Sequence, residues 1–392
     1  MAARLGRLGT FLSDLLDALR ALDATPAPRQ HERAAAYALC SFATSRWPEI
    51  AWHVQEYGTD GANLIASHGA GPLLYSHLDT SLDGGPADEH VTGRADPLGS
   101  LSVRDGAVSG FGLGVARAPA AAALIAFASA RSGSLLVAGS GTHRRGGQIT
   151  GLAAYLGANP MPAAAVVAKS GPPALVWAEP GALYLTVTVR GRQGVAMAPE
   201  SALPTGGLPA QAGVVLAALS EWRRDFLAAC PSGETARAVG IGALRTGWLD
   251  KPDLLPAALE IALYVVFVDG DVPDTVAADV RARVHDSLSA GGLGDCTSSV
   301  DLELIHGPAR TSPDAPIVRS AADAWEAEFG TRPAPVTGWG GVTDAVALRG
   351  RGVDTVRLGP TIMPSPEDRR RDVVSLDELA AFARIYQRLL LG

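Results

Sequence analysis

The sequence predicts an α/β protein in which a mixed, mostly parallel sheet is sandwiched by helices and interrupted by a smaller inserted α+β domain. Three observations predict it. Short apolar strands alternate with helices over roughly the first 170 residues, which is the pattern of a parallel sheet covered on both faces. The pattern then changes at Gly181, where ALYLTVTVRG alternates as a half-buried strand does. Beyond residue 308 helical periodicity returns and the chain closes on a helix.

The elements follow in order. Leu5, Leu8, Leu12, Leu15, Leu16, Leu19 and Leu22 recur at helical spacing, which predicts an amphipathic first helix that docks on the core. Residues 29 to 46 read as a second helix, followed by strands at 50 to 56, 62 to 66 and 72 to 76. A Gly- and Pro-rich stretch comes next, with a hairpin turning at Asp105-Gly106 and an Ala-rich helix opened by Pro119. Strand 135 to 139, a helix near 147 to 156 and strand 163 to 168 continue the alternation. From residue 182 the order is strand, helix (207 to 229), strand (237 to 244), strand (259 to 268), helix (273 to 288) and strand (299 to 305). That order is a complete ferredoxin-like sandwich in itself. Residues 182 to 308 are therefore read as an insertion into a discontinuous first domain, 1 to 181 and 309 to 392. Helices at 313 to 329 and 375 to 391 complete that first domain.

Composition narrows the function. At 392 residues the chain is long enough for two domains of ordinary size. Hydrophobic residues make up 47% and charged ones 19%, the profile of a packed globular protein. A net charge of -7 argues against a nucleic-acid partner, which would show as a basic patch, and leaves small molecules as the expected ligands. The three cysteines, Cys40, Cys230 and Cys296, are scattered and odd in number, as in a reducing cytoplasm, and read as small core residues. No apolar run is read as a membrane span, the longest being broken by Pro119, Pro256 and charged residues.

The segment PLLYSHLDT (72 to 80) places His77 and Asp79 just past an apolar strand, where open α/β sheets keep their sites. Other segments follow in a fixed order: RADPLGSLSVRDGAVSGFGLG (94 to 114), RRGGQITGLAAYL (144 to 156), LTVTVRGR (185 to 192), WGGVTDAVALRGRGVDTVRLGP (339 to 360) and VVSLDELAAFARIYQRLL (373 to 390). Together they resemble the zinc-dependent M20 peptidase family of acetylornithine deacetylase, succinyl-diaminopimelate desuccinylase, glutamate carboxypeptidase and aminoacylase. The resemblance covers nearly the whole chain. It implies a zinc-exopeptidase-like catalytic domain, an inserted lid that forms a homodimer, and hydrolysis of an amide by two zinc ions sharing a bridging carboxylate beside a general-base Glu.

Residue by residue, the resemblance implies a site short of ligands. His77 matches the first metal-binding His and Asp79 the carboxylate that orients it. Val115 stands where the bridging Asp belongs, with Arg117 nearby. His143 and Arg144 stand for the paired glutamates, Lys169 for the next carboxylate ligand, Asp368 loosely for the last His, and Val195 for the lid His. One test does not depend on register: no Asp or Glu occurs between Gly106 and Ala178, and no His beyond His306. Two dications need more negative charge than this, so neither metal nor cofactor is expected, a relocated metal site being the minor alternative.

The replacements suggest a different chemistry. Arg117, Arg144, Arg145 and Lys169 would turn a cation trap into an anion pocket, against the plainer reading that Arg144 and Arg145 are solvated. His143 takes the place of the base; with His77 and Asp79 it would run metal-free acyl transfer, cyclisation or amide chemistry, unless it is a structural histidine. In GWGGVTDA, Gly340 and Gly341 would let backbone approach a ligand closely, and Asp344 reads as a helix cap. The charge run SPEDRRRD (365 to 372) is read as a solvated loop. Three function classes follow: a repurposed, zinc-independent enzyme acting on an N-acyl amino acid or peptide-like, anionic small molecule; a pseudoenzyme kept for binding or assembly; and a hydrolase with a relocated or single metal.

Overall fold

A computed structural model describes residues 2–82, 85–93, 101–139, 141, 144–146, 150–368 and 371–392. Two compact units emerge. The first comprises residues 1–177, 310–336 and 343–392; the second comprises 178–309 and 337–342.

The first unit opens with α1 (Ala2–Ala24) and α2 (Arg33–Arg46), then β1 (His53–Tyr57), β2 (Gly61–His68) and β3 (Leu73–His77). A short α3 (Pro86–Thr92) precedes the hairpin β4 (Ser102–Arg104) and β5 (Ala107–Gly110). Asp105 and Gly106 both take positive φ, 51° and 75°, as the tight primed turn of a two-residue hairpin demands. After a π-helical turn over Leu113–Arg117 come α4 (Ala118–Ala130), β6 (Gly133–Ala138), α5 (Thr150–Ala158) and β7 (Ala164–Ala168). Residues 147 to 149, where the expected helix began, lie outside the described residues.

The sheet runs β1-β2-β6-β3-β7, ending on a strand from the chain's last third that is named below. Strands β6, β3 and β7 are parallel, while β1 and β2 are antiparallel additions at one edge. Alternation along the parallel strands separates two cores. Leu74, Leu135, Val137, Val166 and Ala168 join the larger core with α1, α2 and α4, whereas Leu73, Tyr75, Leu136, Ala138, Ala165 and Val167 face α5. Helix α4 is buried from Ala118 through Ala128. Together with the preceding turn it forms an 18-residue run, Leu113–Ala130, apolar enough to cross a membrane, yet 83% of that run is packed inside this unit. Pro119 does not break it, because proline is tolerated in the first helical turn.

The second unit contains β8 (Gly181–Arg190), α6 (Leu208–Ala228), β9 (Ala238–Arg245), β10 (Ala258–Phe267), α7 (Pro273–Ala290) and β11 (Thr297–His306). Its antiparallel sheet has the order β9-β10-β8-β11. Leu183, Leu185, Val187 and Val189 of β8 point into one core with Val215, Leu219 and Trp222 of α6 and Val276, Val280 and Val284 of α7. That period of two is what the sequence shows at 182 to 189. Segment 337–342 joins this unit through backbone bonds from Gly338 N to Gly233 O and from Trp339 N to Glu234 O, both 2.9 Å, and from Ala236 N to Trp339 O, 2.9 Å.

The first unit resumes with α8 (Pro316–Phe329), the short α9 (Ala345–Arg349), β12 (Asp354–Leu358), β13 (Met363–Pro364), β14 (Asp372–Ser375) and α10 (Leu376–Leu391). Strand β12 pairs parallel with β7 and completes the six-stranded sheet. Four parallel strands therefore end together, and their carboxyl ends carry the polar residues described next.

Candidate functional site

His77 is the last residue of β3 and is 1% exposed. Lys169 follows β7 directly, and its Nζ lies 3.4 Å from His77 Nδ1. An ammonium only donates, so Nδ1 accepts and the ring proton sits on Nε2. That nitrogen faces Asp344 Oδ2 at 3.9 Å. The same carboxylate oxygen accepts the hydroxyl of Tyr75, two residues before His77 on the same face of β3. Burial first, then the charge of Asp344 and its hydrogen bond, push the Tyr75 hydroxyl well above its ordinary pKa, which keeps it a neutral donor.

Asp79 is fully buried and its Oδ1 accepts from Gly141 N at 2.8 Å. Gly141 sits so close to the cluster that a Cβ there would lie 2.6 Å from His77 Nδ1 and 2.8 Å from Asp344 Oδ2. Only glycine fits without displacing the histidine. Lys169 is held in turn by its backbone, N to Leu358 O at 3.3 Å, and Arg357 of β12 donates to the carbonyl of Ser170.

The remaining expected site residues lie as follows. Arg117 is buried, its Nη1 donating to Asp23 Oδ1 and to Phe111 O, each at 2.8 Å. Its charge is thus answered by α1. Arg144 Nη2 donates to Ser81 O at 3.1 Å and Arg145 is exposed. Gly340 and Gly341 belong to the second unit, where Gly340 lies against Ala236 and Gly341 against the ring of Trp339. His143 lies outside the described residues. Asp344 precedes α9 as a cap would, but its side chain makes no capping bond and turns to Tyr75 instead.

Sequence reasoning passed over Tyr75 and Asp23. Tyr75 had a signal, since a period of two places it beside His77; Asp23 had none, its partner Arg117 being 94 residues away.

The donors present do not fit a pair of zinc ions. His77 offers Nδ1 to an ammonium and Nε2 toward a carboxylate already bonded to a phenol. Among the described residues, no three His, Cys, Asp or Glu side chains group as a metal site would require.

No family model matches the chain. A curated succinyl-diaminopimelate desuccinylase of Methylorubrum extorquens is 33% identical over 214 residues, 54% of this chain and 51% of that protein. The chain spans about half the length of the curated relatives it matches. Among solved structures, an M20 family metallo-carboxypeptidase of Sulfolobus solfataricus matches 96% of this chain and 98% of its own with a TM-score of 0.68 at 13% identity. The chain has the fold of this M20 family structure. A tripeptidase of Staphylococcus aureus has the same fold, with a TM-score of 0.69 at 14% identity over 97% of this chain and 98% of its own. Within this shared fold, His77 sits at the carboxyl edge of the parallel strands.

Proposed function

We propose that this chain is an M20 protein that handles an N-acyl amino acid or peptide-like small molecule without the two zinc ions its resemblance implies. One observation carries the reading: the Lys169 ammonium stands 3.4 Å from His77 Nδ1, so a positive charge already fills the space beside the one imidazole that matches a metal ligand. An ammonium and a dication repel, and the lone pair of Nδ1 serves one of them. Lys169 after β7, with Arg144 and Arg145 between β6 and α5, supplies positive charge for a carboxylate. The matched relative is named for a succinylated diamino acid and the fold neighbours for peptides, so a carboxylate-bearing amide is the class they share. His77 would be the proton-carrying group, backed by Asp344 and Tyr75, in acyl transfer, cyclisation or amide chemistry. The three free cysteines suit the cytoplasm, and the open edge strand β9 suits pairing through the second unit.

A second reading, a ligand-binding protein without turnover, is favoured by burial. His77, Asp79 and Asp344 are at most 1% exposed, so half-buried Lys169 is the member of the cluster a ligand meets first. The test is a panel of N-acyl amino acids and dipeptides given to chelator-treated protein. Turnover that persists in chelator and falls at least about 100-fold in His77→Ala supports the enzyme reading. Saturable binding without turnover supports the second. Activity that appears only on adding zinc removes both.

A further inference from the structure

We infer that the first unit carries a second small-molecule site at the opposite, amino end of the parallel strands, built for a neutral ligand with one hydroxyl or carbonyl on an apolar ring. A cavity of about 460 Å³ lies there, between the starts of β3, β6 and β7 and the carboxyl end of α5. That volume is in the range of small-ligand pockets. Ile65, Leu73 and Met161 form apolar wall, with Met161 48% exposed at the rim, where a flexible thioether adapts to what enters.

The polar part is the hydroxyls of Ser67, Ser134 and Tyr155, with the exposed His53 imidazole and the Asn159 amide, whose Nδ2 donates to Tyr155 O at 2.9 Å. Ser67 Oγ and Ser134 Oγ are 3.0 Å apart, and Ser134 also bonds the hydroxyl of Tyr155, which is 6% exposed. The Ser67–Ser134 bond uses one hydroxyl proton, which leaves hydroxyl donors and lone pairs for a guest. No Lys, Arg, Asp or Glu lines the cavity among the described residues, and His53 is exposed to solvent, so no buried countercharge would offset a charge taken out of water. A neutral guest with a polar group on an apolar ring matches both the hydroxyls and the apolar wall. None of these residues belongs to the His77 cluster, and the inference does not depend on what that cluster does.

The experiment titrates 2-naphthol into the full chain, followed by its fluorescence and by calorimetry. The expected result is one site per chain with a Kd on the order of 100 µM. Naphthalene, lacking the hydroxyl, is expected to bind about tenfold more weakly, and naphthalene-2-sulfonate not measurably. Ser134→Val should also weaken 2-naphthol about tenfold. Met161→Trp at the rim should abolish binding, and it keeps the test standing if the serine variant misfolds. His77→Asn should leave the Kd unchanged. The inference is overturned if no saturable site is found, if the sulfonate binds as well as the naphthol, if Met161→Trp binds like wild type, or if His77→Asn removes the site.

Discussion

Two tyrosines, one on the sheet and one on α5, pack into the same apolar layer and meet opposite electrical surroundings. Tyr75 leans toward the carboxyl ends of the parallel strands, where Asp344, Asp79, His77 and Lys169 gather; Tyr155 lies beside Ser134, itself paired with Ser67, near the amino ends. Both hydroxyls are held above their ordinary pKa by burial. For Tyr75 the carboxylates add to that push, whereas for Tyr155 the bond from Ser134 works against it. One sheet thus segregates its chemistry: ions at the end where α/β proteins place reactive groups, neutral hydroxyls at the other. A buried charge that loses its partner is costly, while a buried hydroxyl that loses one bond is not, so the two ends should answer mutation differently.

The largest expected effect is at the charged end. Asp23→Ala removes the carboxylate paired with the buried Arg117 guanidinium, each partner of the pair being 2% exposed, and should cost about 3–5 kcal/mol in denaturant unfolding. A loss below about 1 kcal/mol would mean that Arg117 has another anion to answer it. Next, Tyr75→Phe leaves Asp344 short of a donor and should cost about 1–3 kcal/mol, since the stranded group is a carboxylate. Tyr155→Phe should cost less, about 0.5–1.5 kcal/mol, because Ser67 and Ser134 still bond each other. Equal losses would break the comparison.

The smallest effect is a pH dependence. The native Tyr75 pKa is raised above its ordinary value of 10, so its contribution is complete below pH 10 and is lost as pH rises through the native value. Wild type should therefore exceed Tyr75→Phe in stability at neutral pH, with the gap closing above pH 10 in thermal melts. A gap that widened with alkali would reverse the assigned direction.

What the sequence made legible was local. The period of two along residues 73 to 77, the Asp105-Gly106 turn and the helix closing the chain each follow from neighbours in sequence, and the structure places them within a few residues. The first residues of α10 show why: Ser375 Oγ accepts from Glu378 N at 3.4 Å, a cap written within four residues. The site was legible only in part, because its pairings are long-range. Lys169 meets His77 across 92 residues and Asp344 meets Tyr75 across 269. Asp344 read as a helix cap because an acidic residue stood before a helix; the distant phenol competed for that carboxylate and won. Likewise, GWGG reads as one glycine-rich loop with the VTDA that follows, yet its backbone bonds tie 337–342 to the second unit and leave Asp344 in the first.

Zinc binding tests the central claim most directly. Chelator-stripped wild type and His77→Ala should be titrated with zinc by calorimetry and then assayed for bound metal. Weak, substoichiometric uptake that is the same in both proteins is the predicted result, since the Lys169 ammonium stands beside His77 Nδ1 and, among the described residues, no three metal-binding side chains group together. Two zinc ions bound tightly per chain, and lost in His77→Ala, would contradict it.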